Sequence, residues 1–255
     1  MSIHQSAAKG FSAAAETYAR GRPDYPVQAA AWLRDDLALG PGKTVLEVGA
    51  GTGKFIPVLR QAGAAMLALE PVEAMRQLLA ATYNDVEALA GTATSIPLPD
   101  EAVDAVVCAQ AFHWFATSEA LAEFRRVLVP GGRLGLIWNV RDETVPWVAA
   151  LSAILSPLEG DTPRYHSGAW RKTFPAKGFA FVGERCAPYT HQGDPEDVIL
   201  RRMLSVSFVA AQPEAIQQDV AAKIRQLIAQ TPALAGQREV DFPYETHLFI
   251  YQKTS

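Results

Sequence analysis

Apolar residues in the first half of the chain alternate between helical stripes and short unbroken runs. Val27, Ala30, Leu33 and Leu37 recur at intervals of three and four after Asp24-Tyr25-Pro26, and Gly40-Pro41-Gly42 stops the pattern, which predicts an amphipathic helix. Thr44–Val48 is a short β-rich run ended by glycines. A helix is expected over Lys54–Ala62, where Pro57 is tolerated only near the first turn. A strand over Met66–Glu70, a helix over Val72–Thr82 and a weak strand over Val86–Ala90 follow. Val103–Ala109 is almost continuously apolar, as a strand buried on both faces should be. Thr117–Leu128 reads as a helix with Thr117 as its N-cap and Glu119 in its first turn; Arg125 and Arg126 end it before Pro130-Gly131-Gly132, a charge order that suits the helix dipole. Arg133–Asn139 is the next strand. Such alternation implies a parallel sheet with helices on both faces.

After about residue 140 the rhythm changes. Phe179–Cys186 is strand-like, Asp194-Pro195-Glu196 is a helix start, Gln212–Gln230 a longer helix and Tyr244–Gln252 a closing strand. The chain is read as one domain: a covering segment (1–40), a core (41–140), a cap (141–240) and a final strand (241–255). Hydrophobic residues make up 49% of the 255, enough for a sizeable core, which excludes a disordered chain. A net charge of −4 argues against general nucleic-acid affinity. The best candidate for a membrane span, 102–122, is broken by Asp104, Gln110, His113 and Glu119, and the first five residues lack a signal-peptide start, so a cytoplasmic protein is expected. Cys108 lies in an apolar run and reads as a reduced core thiol. His4, His166, His191 and His247 have no ligand spacing with one another or with the cysteines, so no metal is expected.

The sharpest signal is Val45-Leu46-Glu47-Val48-Gly49-Ala50-Gly51-Thr52-Gly53. Glycines between a strand and a helix let a ligand approach the backbone. Glu70, one βα unit later, is placed to accept hydrogen bonds from both hydroxyls of a ribose. The third glycine comes one residue early for a dinucleotide fingerprint, and Glu47 stands where it can face a cationic group. That suits a ligand with an ammonium and a sulfonium but no pyrophosphate. A nicotinamide-dependent oxidoreductase and a non-catalytic cofactor-binding module are the rival readings.

From Thr44 to Asn139 the sequence resembles the class I S-adenosylmethionine-dependent methyltransferases: Val45–Phe55 matches their first motif, Gly91–Asp100 their adenine loop and Glu123–Gly132 their late helix-turn-strand motif. More narrowly, Phe11-Ser12, Tyr18 and Arg22–Pro26 resemble the trans-aconitate methyltransferase-like branch. The resemblance implies a Rossmann-like, doubly wound α/β sheet of seven strands with an antiparallel last strand. It implies Glu47, Gly49, Ala50, Gly51 and Gly53 around the methionine part of S-adenosylmethionine, Glu70 at ribose, Pro71, Met75, Thr92 and Ala93 near adenine, and Tyr18, Arg22 and Tyr25 in a segment folding over the cofactor. Thr92 stands where many relatives carry aspartate, so its contact with the adenine amino group is weaker.

Methyl transfer from a sulfonium is an in-line displacement that requires no metal; the protein aligns the partners and excludes water. Gln110 and Ala111 are expected beside the sulfonium, and His113 is the candidate base. Trp114, Phe115 and Trp138 are candidate walls of a substrate pocket. Arg141, Arg164 and Arg171 have forks that match a carboxylate. The expected acceptor is a small molecule, with a carboxylate or other oxygen nucleophile foremost.

Overall fold

The computed structural model describes residues 22–255. Its elements are α1 (Gln28–Asp36), β1 (Thr44–Val48), α2 (Ile56–Ala62), β2 (Ala65–Leu69), α3 (Glu73–Thr82), β3 (Glu87–Leu89), β4 (Val103–Ala109), α4 (Ser118–Val127), β5 (Leu128–Arg141), α5 (Pro146–Leu155), β6 (Phe179–Gly193), α6 (Arg202–Leu204), α7 (Ser207–Ala210), α8 (Glu214–Gln230) and β7 (Val240–Lys253). A π-helical stretch, Glu196–Arg201, leads into α6. All seven strands form one sheet in the order β3-β2-β1-β4-β5-β7-β6. β1 to β5 run parallel, and β7 is antiparallel to both β5 and β6. This is the expected doubly wound sheet with a reversed last strand.

The residue pattern explains the layers. Val45 of β1 and Ala105 and Val107 of β4 face one side, where α1 and the residue capping its end contribute Leu33 and Leu37 and α2 contributes Ile56 and Leu59. Leu46, Val48, Val106 and Cys108 face the other, against Phe124 and Val127 of α4. Thr117 caps α4 by accepting from Ala120 N at 3.2 Å, and Arg125 and Arg126 lie in its last turn, as expected. A third apolar cluster joins α5, the π-helical stretch and α8 to Phe242 and Tyr244 at the start of β7.

Several expectations are corrected. α2 begins at Ile56 rather than Lys54, which puts Pro57 in its first turn. β5 begins at Leu128, so Pro130-Gly131-Gly132 interrupts its ladder with β4 instead of preceding the strand. β6 is twice the expected length. Most of its side chains on both faces are exposed, because it is an edge strand. It joins the sheet from the middle of the segment expected as a cap. The helix that starts at Asp194-Pro195-Glu196 is π-helical, and Asp194 Oδ1 accepts from Glu196 N at 2.8 Å before it. Among the described residues, no helix is long and apolar enough to cross a membrane.

Candidate active site

The strand order reverses between β1 and β4, and ligands of open α/β sheets bind outside the strand ends at such a point. A cleft with a cavity of about 200 Å³ opens there. Arg22, Tyr25, Glu47, Gly49, Ala50, Gly51, Glu70, Pro71, Met75, Thr92, Ala93, Gln110, Ala111, Trp114 and Phe115 all line it. Gly53 does not: a Cβ there would lie 2.7 Å from the Tyr83 ring, so its small size serves the packing of α3. Tyr18 lies outside the described residues.

The glycine turn is held by its neighbours. Gly49 N and Ala50 N donate to Leu69 O at 2.9 and 3.2 Å, tying the loop to the end of β2. A Cβ on Gly49 would meet Ala111 Cβ at 2.7 Å, so a glycine lets the loops after β1 and β4 touch. Gly51 differs. Its φ is +59° and a Cβ would meet nothing nearer than Met75 Sδ at 4.0 Å, so its backbone is open to a ligand. Glu70 Oε2 accepts from Gly51 N at 2.8 Å and Oε1 from Val72 N at 2.9 Å. Each oxygen keeps a second lone pair for a ligand hydroxyl. Burial pushes the Glu70 carboxyl up, against the pull of these amides and Arg76.

Glu47 is 1% exposed, and its Oε2 has no hydrogen-bond partner. Burial, then the Glu70 charge, pushes its carboxyl well up. A buried acceptor without a donor costs free energy unless a ligand supplies one. An ammonium is such a donor, and its charge would draw the carboxyl back to the ionised form. On this count the residues present fit the aminoacyl end of S-adenosylmethionine.

Gln110 follows β4 with φ +57°, a strained conformation for a side chain of this size. Its N donates to Ile137 O at 2.8 Å and its Nε2 to Asn139 O at 3.0 Å. Asn139 in turn donates from Nδ2 to Asp24 O at 2.7 Å and accepts from Thr246 Oγ1 at 2.6 Å. This network fixes the segment before α1 against the ends of β4, β5 and β7.

A second cavity adjoins the first, sharing Arg22, Gln110, Trp114 and Arg202 with it. Its other lining includes His113, Asn139, Arg141, Arg164, Tyr165 and His166. Arg202 is 8% exposed, and its Nε and Nη1 have no hydrogen-bond partner. Arg141 places Nη1 3.1 Å from Met203 Sδ and Nη2 4.0 Å from Glu143. Burial and the Arg202 charge hold its guanidinium down to about 10. Arg164 lies 3.4 Å from Glu159 and over the Phe208 ring. Four guanidiniums thus meet one small chamber, with Glu143 and Glu159 the acids beside them.

His113 sits at this chamber, half-buried, its pKa lowered to about 3 by desolvation and by the Arg164 and Arg22 charges. Trp138 Nε1 donates to His113 Nδ1 at 3.1 Å. The ring is therefore neutral, with its proton on Nε2. Its Nδ1 is thereby engaged by Trp138. Trp138 itself lies elsewhere than the cavities. It is fully buried behind His113, packed on Trp170 with ring centroids 4.6 Å apart, and lines neither cavity. Arg171 is likewise absent from both, stacked instead over Trp170 and Phe249.

Sequence reasoning missed Arg202. It follows Arg201 in a stretch with no ligand motif, and its neighbour pairs with Asp197 at the surface. It also missed Cys186 and His247, which face each other across β6 and β7 despite standing 61 positions apart in the chain.

A family model described as a methyltransferase domain matches residues 46–136. An uncharacterized methyltransferase of Mycobacterium tuberculosis is 39% identical over 236 residues, covering 92% of each chain. An uncharacterized methyltransferase-like protein of Schizosaccharomyces pombe is 35% identical over 246 residues, 96% of each. Among solved structures, a provisionally assigned type II methyltransferase of Anaeromyxobacter dehalogenans superposes with a TM-score of 0.66 at 24% identity, over 91% of this chain and 97% of its own. Likeness at this identity along nearly the whole length, on this strand order, means that the chain belongs to the class I S-adenosylmethionine-dependent methyltransferases.

Proposed function

We propose that the protein transfers a methyl group from S-adenosylmethionine to a carboxylate oxygen of a small organic acid. The observation that carries this reading is the shared wall between the glycine-loop cleft and a chamber bearing Arg22, Arg141, Arg164 and Arg202. The buried Arg202 guanidinium, whose Nε and Nη1 have no hydrogen-bond partner, favours a planar anion that accepts two hydrogen bonds at once. The narrower likeness to the trans-aconitate methyltransferase-like branch points the same way.

When bound, S-adenosylmethionine supplies a methyl on a positively charged sulfur, an already activated leaving group. Glu47 would hold its ammonium, Glu70 its ribose, and Thr92, Ala93, Pro71 and Met75 would border its adenine. Gln110, which lines both cavities, and Ala111 would border the reacting sulfur. A carboxylate is ionised at neutral pH and needs no base. The neutral His113 then serves as a donor through Nε2–H that orients the acceptor, a positioning role. The arginines hold the acid with one oxygen in line with the methyl, and Trp114 and Phe115 limit water.

The test is titration with S-adenosylhomocysteine in a calorimeter, followed by transfer of labelled methyl to a panel of small mono-, di- and tricarboxylic acids, amines and phenols. Binding followed by label in a base-labile ester is the expected result. Tighter binding of NAD, or label only in amines, would overturn the proposal.

A further inference from the structure

The outer strand pair β6–β7 carries a cluster unrelated to methyl transfer. Cys186 is paired directly with His247 in the antiparallel register, and Glu245 lies two residues before His247, so all three side chains stand on one face. Cys186 Sγ is 3.8 Å from His247 Nε2, which is 3.2 Å from Glu245 Oε2, and the three donor atoms all lie within 4.8 Å of one another. In a tetrahedral zinc site the bond lengths of about 2.0–2.3 Å put neighbouring donors about 3.4–3.6 Å apart. Two of the spacings here are within a few tenths of an ångström of that, on side chains exposed enough to adjust. Thiolate, imidazole and carboxylate together suit a borderline-soft ion and not magnesium or calcium.

The neighbouring cation on β6, Arg185, is bound to Asp36 by two hydrogen bonds of 3.0 and 2.5 Å.

We infer that Cys186, Glu245 and His247 form a binding site for one divalent zinc-type ion, with the fourth position left to water or an external ligand. Binding replaces the thiol proton with a sulfur–metal bond and releases that proton to solvent. Two ligands come from β7 and one from β6, so the ion would clamp β6 to β7.

The experiment uses the full chain stripped with a chelator, then titrated with Zn²⁺ alone and separately with Co²⁺. Expected are one ion per chain with a Kd below about 10 µM, release of one proton and a thiolate-to-cobalt charge-transfer absorption. Cys186→Ser should abolish that absorption. Cys186→Ser and His247→Ala should each weaken Zn²⁺ binding at least roughly 100-fold, with circular dichroism unchanged. Binding weaker than this limit, a cobalt spectrum without the sulfur band, or unchanged affinity in both variants would overturn the inference. The His247 variant keeps the test decisive if the serine variant folds poorly. None of these readouts depends on methyl transfer.

Discussion

Arg202→Met should move stability and catalysis in opposite directions. The side chain is 8% exposed, with Nε and Nη1 unpartnered, and Arg141, Arg164 and Arg22 border the same chamber. A buried polar group left unsatisfied costs about 1–3 kcal/mol, more when charged. Methionine keeps most of the apolar stem and removes that cost, offset in part by poorer filling. The net expectation is a gain of about 1–2 kcal/mol, read as a Tm rise of about 2–4 °C per kcal/mol for a chain of this size. An acid held by this guanidinium loses a charge-assisted hydrogen bond of about 1.5–3 kcal/mol. That lowers kcat/KM for the acid by about 10- to 150-fold, while S-adenosylhomocysteine affinity changes far less. The assay pairs urea or thermal unfolding of the ligand-free protein with initial rates from labelled donor. A variant that melts lower and turns over acids at the normal rate would show that Arg202 is structural, and the chamber would lose its assignment.

Glu70→Ala should weaken S-adenosylhomocysteine binding by about 1–3 kcal/mol, with Glu70→Gln intermediate because an amide oxygen can still accept from Gly51 N; three equal affinities by calorimetry would remove the ribose role. Gly53→Ala should cost about 2–4 kcal/mol of stability, from a left-handed φ of +84° and a Cβ 2.7 Å from Tyr83, with ligand affinity kept in the surviving folded protein. His113 has a folded pKa of about 3, below its unfolded value, so its contribution to stability is present above about pH 6.5 and lost as pH falls toward 3. His113→Asn keeps an acceptor for Trp138 and removes the titration. Between pH 7.5 and pH 5 the wild type should therefore lose about 2 kcal/mol more than the variant. Glu47 and Glu70, whose raised pKa values favour the fold at lower pH, are common to both proteins and cancel.

Local signals in the sequence were read well where local forces decide. Val103–Ala109 is β4 to the residue, because a strand covered on both faces is apolar almost throughout, Asp104 apart, and its ends are sharp. The acid-flanked glycine loop and Glu70 reach one cleft because parallel β1 and β2 end side by side. What escaped depends on distant packing. Arg164 and Arg171 are seven positions apart in one irregular segment, yet one borders the chamber and the other stacks on Trp170 and Phe249; nothing local separates them. Trp138 has the composition of a pocket wall, but its place on β5 opposite β7 buries it. β6 lacks a one-sided pattern because it is an edge with solvent on both faces for much of its length.

The partition between the two cavities has a consequence for how acceptor choice can drift. The glycine-loop cleft is lined mostly from positions 47–111, whereas much of the second cavity's lining comes from 139–207. Exchanging that later stretch for the equivalent stretch of a homologue would retarget the enzyme without disturbing its hold on the sulfonium, so long as Asn139 still anchors the strap before α1.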